Sequence, residues 1–193
     1  MTCPSSKEFT IVALSRVEFS THVPTFVDIY VEAMGYQESF KRNAIESWRR
    51  AVLEQGFVGF CALVDSQPAG IAYGFLGRRE HWWDQQLRRG IREQYGRERF
   101  TPDSPAQRIL DNYLQLAEIH VSPAFQGLGL GRALLSAVEQ RQGASAILLS
   151  TPEVPAESNR AFHLYRSFGY QDVLRNFLFT GDARPFAVLG KVV

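Results

Sequence analysis

"HVSPAFQGLGLGRALLSAVEQ", residues 120–140, places Gly127, Gly129 and Gly131 at alternate positions directly before a helical pattern. A glycine near a helix start costs roughly 0.5–1 kcal/mol relative to alanine, so three of them call for a compensating role. The preceding "YLQLAEIHV" (113–121) reads as a strand, and "LGRALLSAVEQRQ" (130–142) puts Leu130, Ala133, Leu134, Ala137 and Val138 on one helical face. Strand, glycine-rich turn and helix together form a layout that binds phosphate. The first N–H groups of the helix and its dipole face the anion, and glycine lets the backbone approach it. A P-loop ends in Gly-Lys-Ser/Thr, whereas Arg132-Ala133 follow Gly131 here. A dinucleotide fingerprint needs a small residue at 132 or 134, where Arg and Leu stand, and it usually follows a domain's first strand.

Around this turn the chain alternates strands and helices. "FTIVALSR" (9–16) is a strand by alternation and β-branching. "VPTFVDIYVEAMG" (23–35) is a helix with Pro24 near its start and Gly35 at its stop, and "SFKRNAIESWRRAVLEQG" (39–56) is a second helix. "FVGFCALVD" and "IAYGFLGRR" form a hairpin around "SQPAG". "AILLST" (146–151) is a short buried strand, "ESNRAFHLYRSFG" (157–169) a helix, and a last hairpin turns at "GDAR". The strand at 113–121, its helix and the strand at 146–151 make a βαβ unit, which requires parallel pairing. The fold class is α/β, with one domain over residues 1–193.

Residues 80–112 interrupt this rhythm and are too long for a plain loop. They predict a helix at about 81–95. From Arg78 to Arg108 the segment has eight arginines against five acids, with Trp82 and Trp83 among them. Arginines, aromatics, Gly90, Gly96, Pro102 and Pro105 suggest a mobile element rather than part of the central core. Such an element would govern a substrate contact or a subunit contact. Its arginines read as a solvated face rather than an anion site, and Trp82, Trp83 and Tyr95 as packing it onto the domain or a second copy rather than walling a substrate site.

Composition sets outer bounds. A net charge of +1 over 193 residues gives no global field for nucleic acid or an anionic membrane. No apolar run is long enough to span a membrane, and the start lacks the pattern of a signal peptide. Two cysteines, Cys3 and Cys61, argue against a disulfide framework. The expected location is the cytoplasm.

Gln126-x-x-Gly129-x-Gly131, preceded by "EIHVSPAF" and followed by "RALL", resembles the pyrophosphate loop of the GNAT superfamily of acyl-CoA N-acyltransferases. "NRAFHLYRSFGY" resembles that family's later helix, and the element order fits from about residue 9 to 193, apart from the long insertion. The resemblance implies a GNAT fold: a central, mixed, seven-stranded twisted sheet flanked by helices, with a helical insertion between the third and fourth strands. It implies an N-acetyltransferase that uses acetyl-CoA as acyl donor and no metal, with a small-molecule or peptide amine as acceptor. No nucleic acid or membrane partner is expected, and a homodimer is possible. Two alternatives are another acyl-CoA donor with the same mechanism and a catalytically silent acyl-CoA-binding module acting through protein partners.

By the same resemblance, backbone groups of Ile119, His120 and Val121 pair with the pantetheine arm. Gln126, Gly127, Leu128, Gly129, Leu130, Gly131 and Arg132 hold the pyrophosphate. Tyr165 matches the general acid, and Asn159 matches a residue that contacts the CoA arm, although either Asn159 or Ser158 can equally be a helix N-cap. An amine must lose a proton to attack a thioester near pH 7. Glu118 is the one carboxylate within the 113–121 strand and is the candidate base. Strand alternation puts Glu118 and His120 on one face and Gln115, Ala117 and Ile119 on the other. His120 is therefore a second candidate. If the active face is the odd-numbered one, Gln115 holds the position and cannot act as a base.

Overall fold

The computed structural model describes residues 8–96, 105–141 and 143–193. In chain order these form β1 (Phe9–Leu14), α1 (Arg16–Met34), α2 (Phe40–Ala51), β2 (Val58–Val64), β3 (Gln67–Leu76), α3 (Trp82–Tyr95), α4 (Pro105–Asp111), β4 (Tyr113–Val121), α5 (Leu130–Arg141), β5 (Ala146–Pro152), α6 (Arg160–Ser167), β6 (Gln171–Leu178) and β7 (Pro185–Val192). The strands make one mixed seven-stranded sheet in the order β1-β2-β3-β4-β5-β7-β6. β4 pairs with β5 in parallel over Tyr113–Gln115 and Ala146–Leu148, as the βαβ reading requires.

The chain divides into two compact units. The first comprises residues through Phe75 together with Ala117–Gln142, and the second comprises Leu76–Leu116 together with Gly143–Val193. Among the described residues, no helix is long and apolar enough to cross a membrane.

In the first unit, α1 begins seven residues earlier than its apolar periodicity predicts. Ser15 accepts from the Glu18 N–H at 3.2 Å, and the Glu18 carboxylate accepts from the Ser15 N–H at 2.8 Å. This reciprocal capping box satisfies two donors that a helix start leaves bare, and it starts the helix well ahead of Pro24. Pro24 therefore sits inside α1, where it cannot donate to the preceding turn. Phe19, Val23, Phe26, Val27 and Val31 of α1 pack with Trp48, Val52, Cys61, Ile71 and Tyr73 into one core. Burial pushes the Cys61 thiol up to about 11. The β2–β3 turn is tighter than the expected "SQPAG". Asp65 and Ser66, at φ of 49° and 64°, form a two-residue turn, and Pro68 and Gly70 already belong to β3.

In the second unit, the insertion departs from the expected mobile element. α3 lies where the sequence predicts a helix, but it is part of a core. Trp83, Leu87, Ile91 and Leu110 pack with Tyr113, Leu148, Leu174 and Phe177. Arg88 is buried rather than solvated. Its Nε donates to Asp84 at 2.5 Å and an Nη donates to the Leu110 carbonyl at 2.8 Å. The Tyr113 hydroxyl donates to the other Asp84 oxygen at 2.9 Å, and burial followed by the Asp84 charge raises its pKa well above the ordinary tyrosine value. Asp84, fully buried, thus has a partner on each oxygen, which a buried carboxylate requires. Trp83 is buried and donates to the Ser150 hydroxyl at 3.4 Å, whereas Trp82 is half-exposed against Phe179. Arg97, Arg99 and Pro102 of the insertion, and Cys3, lie outside the described residues.

Candidate active site

In the first unit, β4 carries Glu118 and His120 on one face, as alternation predicts. His120 Nε2 and Glu118 Oε2 lie 2.6 Å apart, so a ring carrying its proton on Nε2 donates to the carboxylate. The pair is mostly enclosed, the His120 side chain being 11% and the Glu118 side chain 27% exposed. Tyr30 lies against the His120 ring at 4.9 Å, and Trp48 stacks on it at 6.5 Å. Beneath them is Tyr73, whose hydroxyl is raised well above its ordinary pKa by burial and then by the Glu118 charge. Among the described residues, the ion-pair partner of Glu118 is His120 and not an arginine. It is one half of a carboxylate–imidazole pair. In that tautomer, with the proton on Nε2, the lone pair of the ring lies on Nδ1. A proton taken there yields an imidazolium already paired with Glu118.

β4 runs directly into the glycine turn. Ser122 ends the strand, its N–H donating to the Ala69 carbonyl at 2.9 Å and its hydroxyl to Glu32 at 3.0 Å. A single 3₁₀ turn follows at Pro123–Phe125. The Gln126 side chain then reaches back to the Val121 carbonyl at 3.2 Å, tying the turn to the strand end. Gly127 and Gly129 have φ of 88° and 89°, and a Cβ on either would meet nothing within 4 Å. Packing does not demand these glycines. The left-handed backbone does, and the space over it is open. Gly131 is different, lying in the first turn of α5. The Ala133 N–H bonds to the Gly129 carbonyl at 3.1 Å, so the turn leads straight into the first turn of the helix, where the N–H groups point out along the axis. Gln126 through Gly129 and Arg132 are exposed and Leu130 is buried. The fit to a pyrophosphate is therefore good: open left-handed glycines, first-turn amides and one exposed guanidinium. Ile119 and Val121 lie on the β4 face opposite the pair.

In the second unit, Asn159 caps α6, its side-chain oxygen accepting from the Phe162 N–H at 2.9 Å. Of the two readings the sequence leaves open, the cap is observed. "FGY" is the stop of the same helix. Gly169 has φ of 85°, and the Tyr170 N–H returns to the Tyr165 carbonyl at 3.1 Å in the Schellman pattern. The Tyr165 and Tyr170 rings lie 5.9 Å apart, and Tyr165 is 6% exposed. Ahead of α6, Glu157 bonds Arg166 and Arg175, and Glu153 bonds Arg175 at 2.7 Å. Hydrogen bonds from Arg166 hold the Glu157 carboxyl down to about 2.

The family model for the acetyltransferase (GNAT) domain matches residues 48–172, from Trp48 through the glycine turn and α6. The chain belongs to the GNAT acetyltransferase family. It is an acyl-CoA-dependent N-acetyltransferase. A GCN5-like protein acetyltransferase of Mycobacterium tuberculosis is 32% identical over 86% of this acetyltransferase and 88% of its own length. The ribosomal-protein-S18-alanine N-acetyltransferase of Escherichia coli shares the fold at a TM-score of 0.59 and 21% identity, covering 96% of this chain and 94% of that one. An acetyltransferase of Salmonella typhimurium with acetyl-CoA bound does so at 0.60 and 14%, over 96% and 94%.

The aromatic residues around His120 are the part of the acetyltransferase's candidate site that sequence reading missed. Tyr30 reads as one more apolar position on a helix face, and nothing in the pattern of α2 marks Trp48 as a neighbour of β4.

Proposed function

We propose that this acetyltransferase moves the acetyl group of acetyl-CoA to a primary amine by direct attack, with both substrates bound together. One observation carries the reading. A single strand, β4, bears the Glu118–His120 pair and ends in the open turn of Gly127 and Gly129. Acetyl-CoA supplies the activated thioester. The turn from Gln126 to Arg132 binds its pyrophosphate, and backbone groups of Ile119, His120 and Val121 align its pantetheine arm in the manner of an added strand. The Val121 N–H donates to the thioester oxygen.

The Glu118–His120 pair takes the proton that the amine must lose. We treat it as one unit because the two groups lie in direct contact at 2.6 Å. For Tyr165, the family resemblance is the support for returning a proton to the departing sulfur. The M. tuberculosis relative is named a protein acetyltransferase, which favours an amine carried on a protein or peptide as acceptor. Cys61, as a buried thiol, suits a reducing cytoplasm.

The test is thiol release from acetyl-CoA with and without amine-bearing peptides, with the peptide mass followed in parallel. The reading expects thiol release that depends on the amine and equals the acetyl-peptide formed. A protein stabilised by acetyl-CoA that releases no thiol with any amine would be a silent binding module.

A further inference from the structure

We propose that Phe40, Tyr36 and Tyr30 form an aromatic track that delivers the acceptor, as an ammonium on an unbranched alkyl stem, to the Glu118–His120 pair. The inference rests on the acetyltransferase reading and names its substrate class. The rings make a continuous chain within the first unit. Phe40 stacks on Tyr36 at 5.2 Å and 23°. Tyr36 meets Tyr30 edge-on at 5.4 Å, and Tyr30 lies on His120 at 4.9 Å. Trp48 closes the inner end, 5.5 Å from Tyr30.

Exposure falls along this chain. Phe40 is 52% exposed, Tyr36 and Tyr30 are half-buried, and the His120 side chain is nearly enclosed. Local structure holds the outer end in place. Gly35 ends α1 in the left-handed region, and the Tyr36 N–H bonds back to the Val31 carbonyl at 3.0 Å, turning Tyr36 under the first residue of α2. A half-exposed phenylalanine stacked on a tyrosine contributes little to a core, but it offers ring surface to a ligand.

The charges fit a cation. Ring faces attract alkylammonium groups while their edges and the methylenes of a stem pack together. The lysine beside the track, Lys41, is neutralised by Asp28 and Glu38, each at 2.8 Å. The track ends at a carboxylate, Glu118. A lysine side chain has both the methylene stem to lie along the rings and the charge to be drawn inward. The α-ammonium of a peptide N-terminus has no such stem.

The experiment uses the enzyme with CoA rather than acetyl-CoA, so that binding is read without transfer. Two peptides identical except for one position, lysine or norleucine, are titrated by calorimetry into wild type and into the Tyr36→Leu/Phe40→Leu variant. The lysine peptide should bind wild type at least about tenfold more tightly than the norleucine peptide. The variant should lose most of that preference while its affinity for CoA stays unchanged. In turnover, KM for the lysine peptide should rise about tenfold with kcat nearly constant, the signature of lost binding shared by ground and transition states. Equal binding of the two peptides by wild type, or a preference that survives intact in the variant, overturns the track. If the preference depends on the rings but no thiol is released, the acetyl-transfer reading fails instead. If amines are acetylated and the preference ignores the rings, only the track fails.

Discussion

His120 Nε2 and Glu118 Oε2 lie 2.6 Å apart, two residues apart on β4, under the rings of Tyr30 and Trp48. In the proposed function this pair takes the proton of the amine. Glu118→Gln and His120→Gln should each lower kcat by about 10²- to 10⁴-fold, the usual worth of a general base. The double variant should lose little more than the worse single one, because the groups act together. Acetyl-CoA affinity, measured by calorimetry, should stay at the wild-type value. Full turnover in both single variants would move the proton to solvent.

The glycine turn makes a separate prediction. Acetyl-CoA at a hundredfold excess over its Kd should stabilise wild type by about 2.7 kcal/mol, or roughly 5–11 °C in Tm at this size. Gly129→Val forces a β-branched side chain to φ of 89° and closes the open space above the turn. The variant should fold with a modestly lower Tm and show almost no further shift with acetyl-CoA. A full ligand-induced shift in Gly129→Val would show that the anion binds elsewhere.

Tyr165 contributes its ring to the end of α6 against Tyr170, so its hydroxyl must be tested without disturbing that contact. Tyr165→Phe keeps the ring. Turnover should fall by about 10²- to 10⁴-fold, with Tm and acetyl-CoA binding near wild type. Unchanged turnover on the best amine would assign the ring a purely structural part.

The insertion is held by Asp84, which binds Arg88 and Tyr113 with no exposure to water. Asp84→Ala removes the carboxylate from the buried Arg88 guanidinium and should cost about 3–5 kcal/mol in denaturant unfolding. Replacing residues 81–111 with a flexible linker should fail to give a folded protein, since Trp83, Leu87, Ile91 and Leu110 leave the core with it. A loss under about 1 kcal/mol for Asp84→Ala, less than an ordinary buried hydrogen bond left unmade, would return the insertion to the surface.

Much of the fold was legible because strands and helices announce themselves by period. The parallel βαβ unit follows from the runs at 113–121, 130–142 and 146–151. The misreadings have local causes. Pro24 looked like a helix start because the apolar spacing before it is weak, while the Ser15-x-x-Glu18 capping box stood in the sequence unused. Charge in the insertion looked like solvent exposure. Asp84 and Arg88, four apart on one helix, instead neutralise each other inside a core. In the candidate site, the Glu118–His120 relation could be read from strand parity alone, and the glycines at 127 and 129 from their cost. Tyr30 and Trp48 could not be placed beside His120, nor Tyr36 beside Tyr30, since these meetings join residues far apart in the chain.

The account's central claim is direct transfer with both substrates bound. Initial rates measured across a grid of acetyl-CoA and lysine-peptide concentrations test it most directly. Transfer in a ternary complex predicts double-reciprocal lines that intersect, and enzyme incubated with acetyl-CoA alone should carry no acetyl group by intact mass. Parallel lines, with an acetylated enzyme isolated before peptide is added, would place the acetyl group on the protein first and contradict the direct attack assigned to the amine at the Glu118–His120 pair.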